Sequence, residues 1–111
     1  VRELIFMQLR QIAHSRSGDK GNTASISVIA FDPAAYSFLL EHVTAERVAE
    51  HFREVVKGTV TRFELPNIAA LNFVMTDALG GGVLRSLALD THGKALSSAL
   101  LALELPDIET R

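Results

Sequence analysis

The order of elements in the sequence predicts an α+β fold, a two-layer sandwich with helices on one face of a mainly antiparallel sheet. Three observations carry this expectation. Strand-like alternation recurs at Thr23–Phe31 and Thr59–Leu65, helical apolar stripes fill the stretch between them, and another helical stripe closes the chain. The chain has 111 residues, of which 48% are hydrophobic and 22% charged, so we read residues 1–111 as a single domain with a sizeable core.

The first strand runs from about Leu4 to His14. Ile5, Met7 and Leu9 alternate, then the phase slips so that Ile12 and His14 share the opposite parity, which predicts a bulge near Arg10–Gln11. Ser15 to Asn22 reads as a loop of small, polar and glycine residues. Thr23 to Phe31 follows as a strand, with Ala24, Ile26, Val28 and Ala30 on one face and Ser25 and Ser27 on the other. Asp32-Pro33 opens a helix, aspartate as the cap and proline at a position whose N–H has no helical partner. Its stripe is Tyr36, Leu39, Leu40 and Val43. Thr44 caps a second helix to about Val56, with Val48, Phe52 and Val55 inward, Glu46, Glu50, Arg53 and Glu54 outward, and Gly58 ending it.

Thr59 to Leu65 sets Thr61, Phe63 and Leu65 against Arg62 and Glu64, a half-buried strand. Pro66-Asn67 turns the chain, and Leu71, Phe73 and Met75 mark the next strand up to Gly80. Leu84 to Asp90 reads as a short further strand, and Lys94 to about Leu103 as a helix with Leu96, Ala99, Leu100 and Leu103 inward. The result is ββα(α)ββ(β)α, which is the ferredoxin-like βαββαβ order rotated by one strand; two side-by-side ββα units are the alternative. If the helical crossover joins parallel strands, Ser15–Asn22 and Gly80–Gly82 lie at the same end of the sheet and share one rim.

Composition excludes several classes of function. A net charge of −2 does not suit general nucleic-acid binding, which needs a basic surface. No apolar run reaches the length of a membrane span and no signal peptide opens the chain. The absence of cysteine removes disulfides, thiolate catalysis and cysteine-held metal sites, and it suits a cytoplasmic location. His42, His51 and His92 lack metal-ligand spacing, and no cofactor fingerprint is present: Gly80-Gly81-Gly82-Val83-Leu84-Arg85 places arginine where the dinucleotide motif needs its third glycine. We therefore expect no metal and no cofactor.

The densest polar segment is His14-Ser15-Arg16-Ser17-Gly18-Asp19-Lys20-Gly21-Asn22. Glycines at Gly18 and Gly21 let backbone N–H groups converge on an anion, with Arg16 and Lys20 supplying charge beside it. The plain alternative is a well-satisfied hairpin with Asp19 as turn former. His14 and Asp19 are the candidates for proton transfer. Gly80, Gly81 and Gly82 suit close approach to a ligand or another chain, and Arg85 and Ser86 add anion-binding groups.

The segments Ile12–Asn22, Phe63-Glu64-Leu65-Pro66-Asn67, Leu71-Asn72-Phe73 and Leu79-Gly80-Gly81-Gly82, with Ser86-Leu87 and Asp90 before Gly93-Lys94, resemble the carboxy-terminal ferredoxin-fold domain of the acyclic terpene utilisation (AtuA-like) family. The resemblance covers roughly residues 9–105. It implies a ferredoxin-like fold and an association with bacterial breakdown of acyclic terpenoids or branched acyl-CoA compounds. The family's longer members carry a large amino-terminal domain ahead of this one, so the resemblance also implies a separate partner equivalent to that domain. It supplies no catalytic residues.

Three expectations follow. The first is an accessory subunit binding an anionic metabolite, an acyl-CoA or a carboxylate, at the shared rim through Arg16, Ser17, Gly18, Asp19, Lys20, Gly21, Asn22, Gly80, Gly81, Gly82, Arg85 and Ser86. The second is a small enzyme in which His14 and Asp19 act as acid and base in one pocket beside an oxyanion-stabilising glycine loop. The third is an interaction module, and a homo-oligomer suits a small domain with exposed sheet edges.

Overall fold

In a computed structural model of the protein, residues 6–78 and 94–106 are described. β1 (Phe6–Gln8) leads through a 3-10 turn at Leu9–Gln11 into β2 (Ala13–Lys20), and β3 (Thr23–Ala30) follows directly. α1 (Tyr36–His42) and α2 (Ala45–His51) precede β4 (Val60–Leu65) and β5 (Ala70–Met75). α3 (Lys94–Leu101) and β6 (Glu104–Pro106) come last among these residues.

The four long strands form one sheet in the order β2-β3-β5-β4, antiparallel at every join. β3 and β4 therefore run in the same direction with β5 inserted between them, and α1 and α2 make the crossover. This is the ferredoxin-like sheet entered one strand early, as the element order predicts. α3 packs against β2 and α2 against β4, so the helices cover one face. Ala24, Ile26 and Val28 of β3 and Leu71, Phe73 and Met75 of β5 supply the sheet's share of the core, opposite Phe38, Leu39, Val48, Leu96 and Leu100.

The phase slip after Leu9 is not a bulge. Gln8 and Gln11 bracket a 3-10 turn, with Gln8 N donating to Gln11 Oε1 at 2.8 Å and Ile12 N to Leu9 O at 3.0 Å. The turn divides the expected first strand between two sheets. β1 pairs with β6, Met7 opposite Leu105, while β2 pairs with β3. β6 has no counterpart in the sequence reading.

Two further expectations change. Ser15–Lys20 is strand, not loop, and the hairpin turn is only Gly21-Asn22. Gly21 has φ +61°, positive at the first central position alone, as in a type II′ turn. In β4 the alternation is as read, and the structure settles which set faces inward. Arg62 and Glu64 lie on the helix side, and Thr61, Phe63 and Leu65 on the uncovered side. Arg62 finds partners there: its Nη1 donates to Leu40 O (2.8 Å) and Val43 O (3.0 Å) at the end of α1.

The helix caps act as expected, Asp32 Oδ1 accepting from Ala34 N and Thr44 Oγ1 from Arg47 N, both at 3.0 Å. Pro33–Ala35 is a 3-10 turn ahead of α1, and α2 ends at His51, short of Val56. Inside α1 the buried residues include Phe38, which the stripe of Tyr36, Leu39, Leu40 and Val43 omits. The proposed strand at residues 84–90 lies outside the described residues.

Candidate functional site

Strand parity separates the residues of the polar segment. Ser15, Ser17 and Asp19 stand opposite Val28, Ile26 and Ala24, on the helix side of the sheet. His14, Arg16, Gly18 and Lys20 stand opposite Ile29, Ser27, Ser25 and Thr23, on the uncovered side. His14 and Asp19 thus occupy opposite faces and five positions apart, and they do not meet in one pocket. His14 is exposed and its ring stacks on Phe31, with centroids 5.5 Å apart and planes at 24°.

On the helix side, β2 and α3 enclose a cleft of about 430 Å³ lined by Ser15, Arg16, Ser17, Ser97 and Ser98. It forms because small hydroxyl side chains, rather than large apolar ones, occupy the inward positions of this edge strand and the facing turn of α3. Ser97 is the one polar residue in the buried class among the described residues. The Ser15 hydroxyl is buried without a hydrogen-bond partner, an uncommon state for a buried polar group. Arg16 borders the cleft, and neither Arg16 nor Lys20 has an ion pair among the described residues. Two residues of the sequence-derived site, Arg16 and Ser17, therefore meet three serines that were not singled out. Ser97 and Ser98 carried a sequence signal only as hydroxyls interrupting the apolar stripe of the last helix.

The hairpin tip is tied to the far end of β5. Asn22 Nδ2 donates to Asp77 Oδ1 at 3.0 Å, and Ala78 N donates to Asn22 O at 2.8 Å. Asp77 takes a left-handed φ of +51° in doing so. The chain thus stands beside the hairpin two residues before Gly80, at the sheet end where the topological argument puts it. Gly80, Gly81, Gly82, Arg85 and Ser86 themselves lie outside the described residues. Asn22 holds this junction by both its side chain and its carbonyl, while Gly18 meets nothing within 4 Å of a Cβ built on it.

A second depression, of about 450 Å³, lies between α2 and β6 beside Arg47, Glu50, His51 and Arg53. Here Arg53 pairs with Glu50 at 2.8 Å, and His51 Nε2 is 2.7 Å from Ala99 O. It lacks the orphaned hydroxyl that marks the β2–α3 cleft. Among the described residues no group of three His, Cys, Asp or Glu side chains could hold a metal ion, and no helix is long and apolar enough to cross a membrane.

The fold and this edge-strand cleft define a ferredoxin-like α+β domain. Residues 7–106 match the family model for the AtuA ferredoxin-like domain, and the chain belongs to that family. No curated protein and no solved structure matches it.

Proposed function

We propose that this domain is an accessory or binding module in the breakdown of acyclic terpenoids or branched acyl-CoA compounds. It holds an anionic metabolite, an acyl-CoA or a carboxylate, along the outer edge of β2 from the serine cleft towards the hairpin tip. The observation that carries this reading is the Ser15 hydroxyl, buried without a partner in the cleft that Arg16 borders. A buried hydroxyl left unsatisfied costs about 1–3 kcal/mol, and a ligand oxygen would recover that energy. The Arg16 guanidinium bordering the cleft suits a negative charge. The lack of cysteine suits the cytoplasm.

A thermal-shift series with CoA thioesters, free CoA, simple carboxylates and phosphate tests the proposal. A bound ligand at about 100 times its Kd stabilises the native state by roughly 2.7 kcal/mol, equivalent to about 10 °C or more in a domain this small. Arg16→Ala, at the border of the cleft, should remove most of the shift. Ser15→Ala separates stability from binding: the free domain should gain about 1 kcal/mol as an unsatisfied hydroxyl disappears, while the ligand-induced shift shrinks. If no compound shifts the unfolding midpoint, the metabolite reading falls.

A further inference from the structure

The face of the sheet turned away from the helices is the part of the molecule that the metabolite reading leaves unused. Large apolar side chains stand open on and beside it: Phe31 is 62% exposed, Phe63 51%, Leu65 41% and Ile68 60%. Large apolar side chains gathered on one open face suit a contact surface. We infer that this face is the contact surface for a second copy of the chain, the two sheets stacking about a two-fold axis parallel to the strands.

The register of the sheet fixes what such a stack brings together. Across the uncovered face one row reads His14, Ile29, Ala70, Leu65; the next Arg16, Ser27, Asn72, Phe63; the third Gly18, Ser25, Val74, Thr61. The β2 edge is cationic, the β4 edge is apolar and aromatic, and the strand positions of the face hold no carboxylate. An axis along the strands lays β2 of one copy over β4 of the other, row upon row. Arg16 then faces Phe63 of the partner subunit, a cation over an aromatic ring, and His14 faces the partner's Leu65. Each pairing occurs twice, as an isologous contact requires.

Charge selects this axis over the other one available. An in-plane axis perpendicular to the strands would lay β2 on its own copy, with arginines and lysines facing one another. With the axis along the strands, the two Arg16 positions lie roughly 17 Å apart, offset by three strand spacings and one sheet spacing, beyond the screening length at physiological salt. Small residues in the two central strands, Ser25, Ser27 and Ala70, let the sheets reach the usual separation of about 10 Å. The footprint is roughly 20 Å by 20 Å per copy. Phe31 and Ile68 extend it, bringing two copies near the lower bound of about 1,000 Å² for a specific interface, so the dimer should dissociate on dilution.

Size-exclusion chromatography with light scattering across a dilution series tests the inference. The expected mass rises with concentration from 12.1 kDa toward twice that value. Phe63→Glu should weaken association by at least about tenfold, as should Leu65→Lys, which sets a cation against the basic β2 edge. Circular dichroism establishes that each variant is folded, and the two substitutions are exposed enough that at least one should be. The arrangement is read from a Gly18→Cys/Thr61→Cys double variant treated with a short bis-maleimide. These positions share a row but sit on opposite edges of one sheet, and the chain has no cysteine of its own. A covalent dimer is expected. A mass that stays monomeric at all concentrations overturns the inference, as does a dimer unaffected by both substitutions or one that the reagent does not link. The ligand series above is read separately on the monomeric variant, so the two proposals fail independently.

Discussion

Replacing Gly58 with alanine is expected to lower the midpoint of thermal unfolding by roughly 10–20 °C. A Cβ at this position would stand 2.5 Å from the carbonyl oxygen of Thr76, and closer still to its Oγ1. The two segments are held together there by Gly58 N to Thr76 O at 3.2 Å, Thr76 N to Thr59 O at 3.0 Å and Thr59 N to Thr76 Oγ1 at 2.8 Å. Because the obstacle is hydrogen-bonded backbone just beyond the β4–β5 ladder, it cannot swing aside as a side-chain tip would. Overpacking of this kind costs about 2–3 kcal/mol. Thr76→Ala in the same background should recover only part of the loss, since the carbonyl remains. A Gly58→Ala midpoint within about 2 °C of the parent would show that the ladder can open to accept a methyl group.

Arg62→Met is the second large effect expected, a loss of roughly 2 kcal/mol. The guanidinium lies mostly out of solvent, with 19% of its side chain accessible. It donates to Leu40 O and Val43 O and, through Nη2, to Glu64 Oε2 at 3.0 Å. The last carbonyls of a helix have no helical donors, and a cation there also meets the negative end of the helix dipole. Methionine keeps the stem's packing but leaves two carbonyls without this donor. Denaturant unfolding measures the change. Glu64→Gln in the same assay should lose far less, because that pair is half exposed and screened. Equal losses from the two substitutions would mean that the ion pair, not the helix carbonyls, is what Arg62 contributes.

The same arginine explains where reading the sequence succeeds and where it stops. Alternation in β3 announces its buried face because serines and apolar residues sort cleanly, and Ala24, Ile26, Val28 and Ala30 are all buried. Alternation in β4 is equally clear, yet it says only that two faces differ. The inward face is set by carbonyls 19 and 22 residues away, a tertiary fact that no local pattern holds. Phe63 and Leu65 look like core residues by the same rule and lie in the open.

The candidate site divides in the same way. That the hairpin and the end of β5 lie together followed from the direction of the crossover, a constraint on chain path rather than on any residue. That Ser15, Ser17, Arg16, Ser97 and Ser98 enclose one cleft did not, because α3 settles on β2 through Leu96 and Leu100 and carries its serines along. Glycines in the polar segment suggested a loop; a single two-residue turn needed only Gly21, and Gly18 proved to be a strand residue with open space beside it.

The short ribbon of β1 and β6 has a consequence for engineering and for assembly. Phe6 pairs with Pro106, and Leu9 N donates to Leu103 O at 2.9 Å, so the backbone runs almost as a closed ring fastened at one clasp. A peptide link across that clasp, with a new break at Gly21-Asn22, would reorder the elements so that β3 comes first, giving a strand–helix–strand–strand–helix sequence without moving any core residue. Such a rewired chain should keep its fold. Domains fused before residue 6 or after residue 106 would hang from the same point on the surface, and both would leave the open sheet face and the β2 edge unobstructed only if directed away from them.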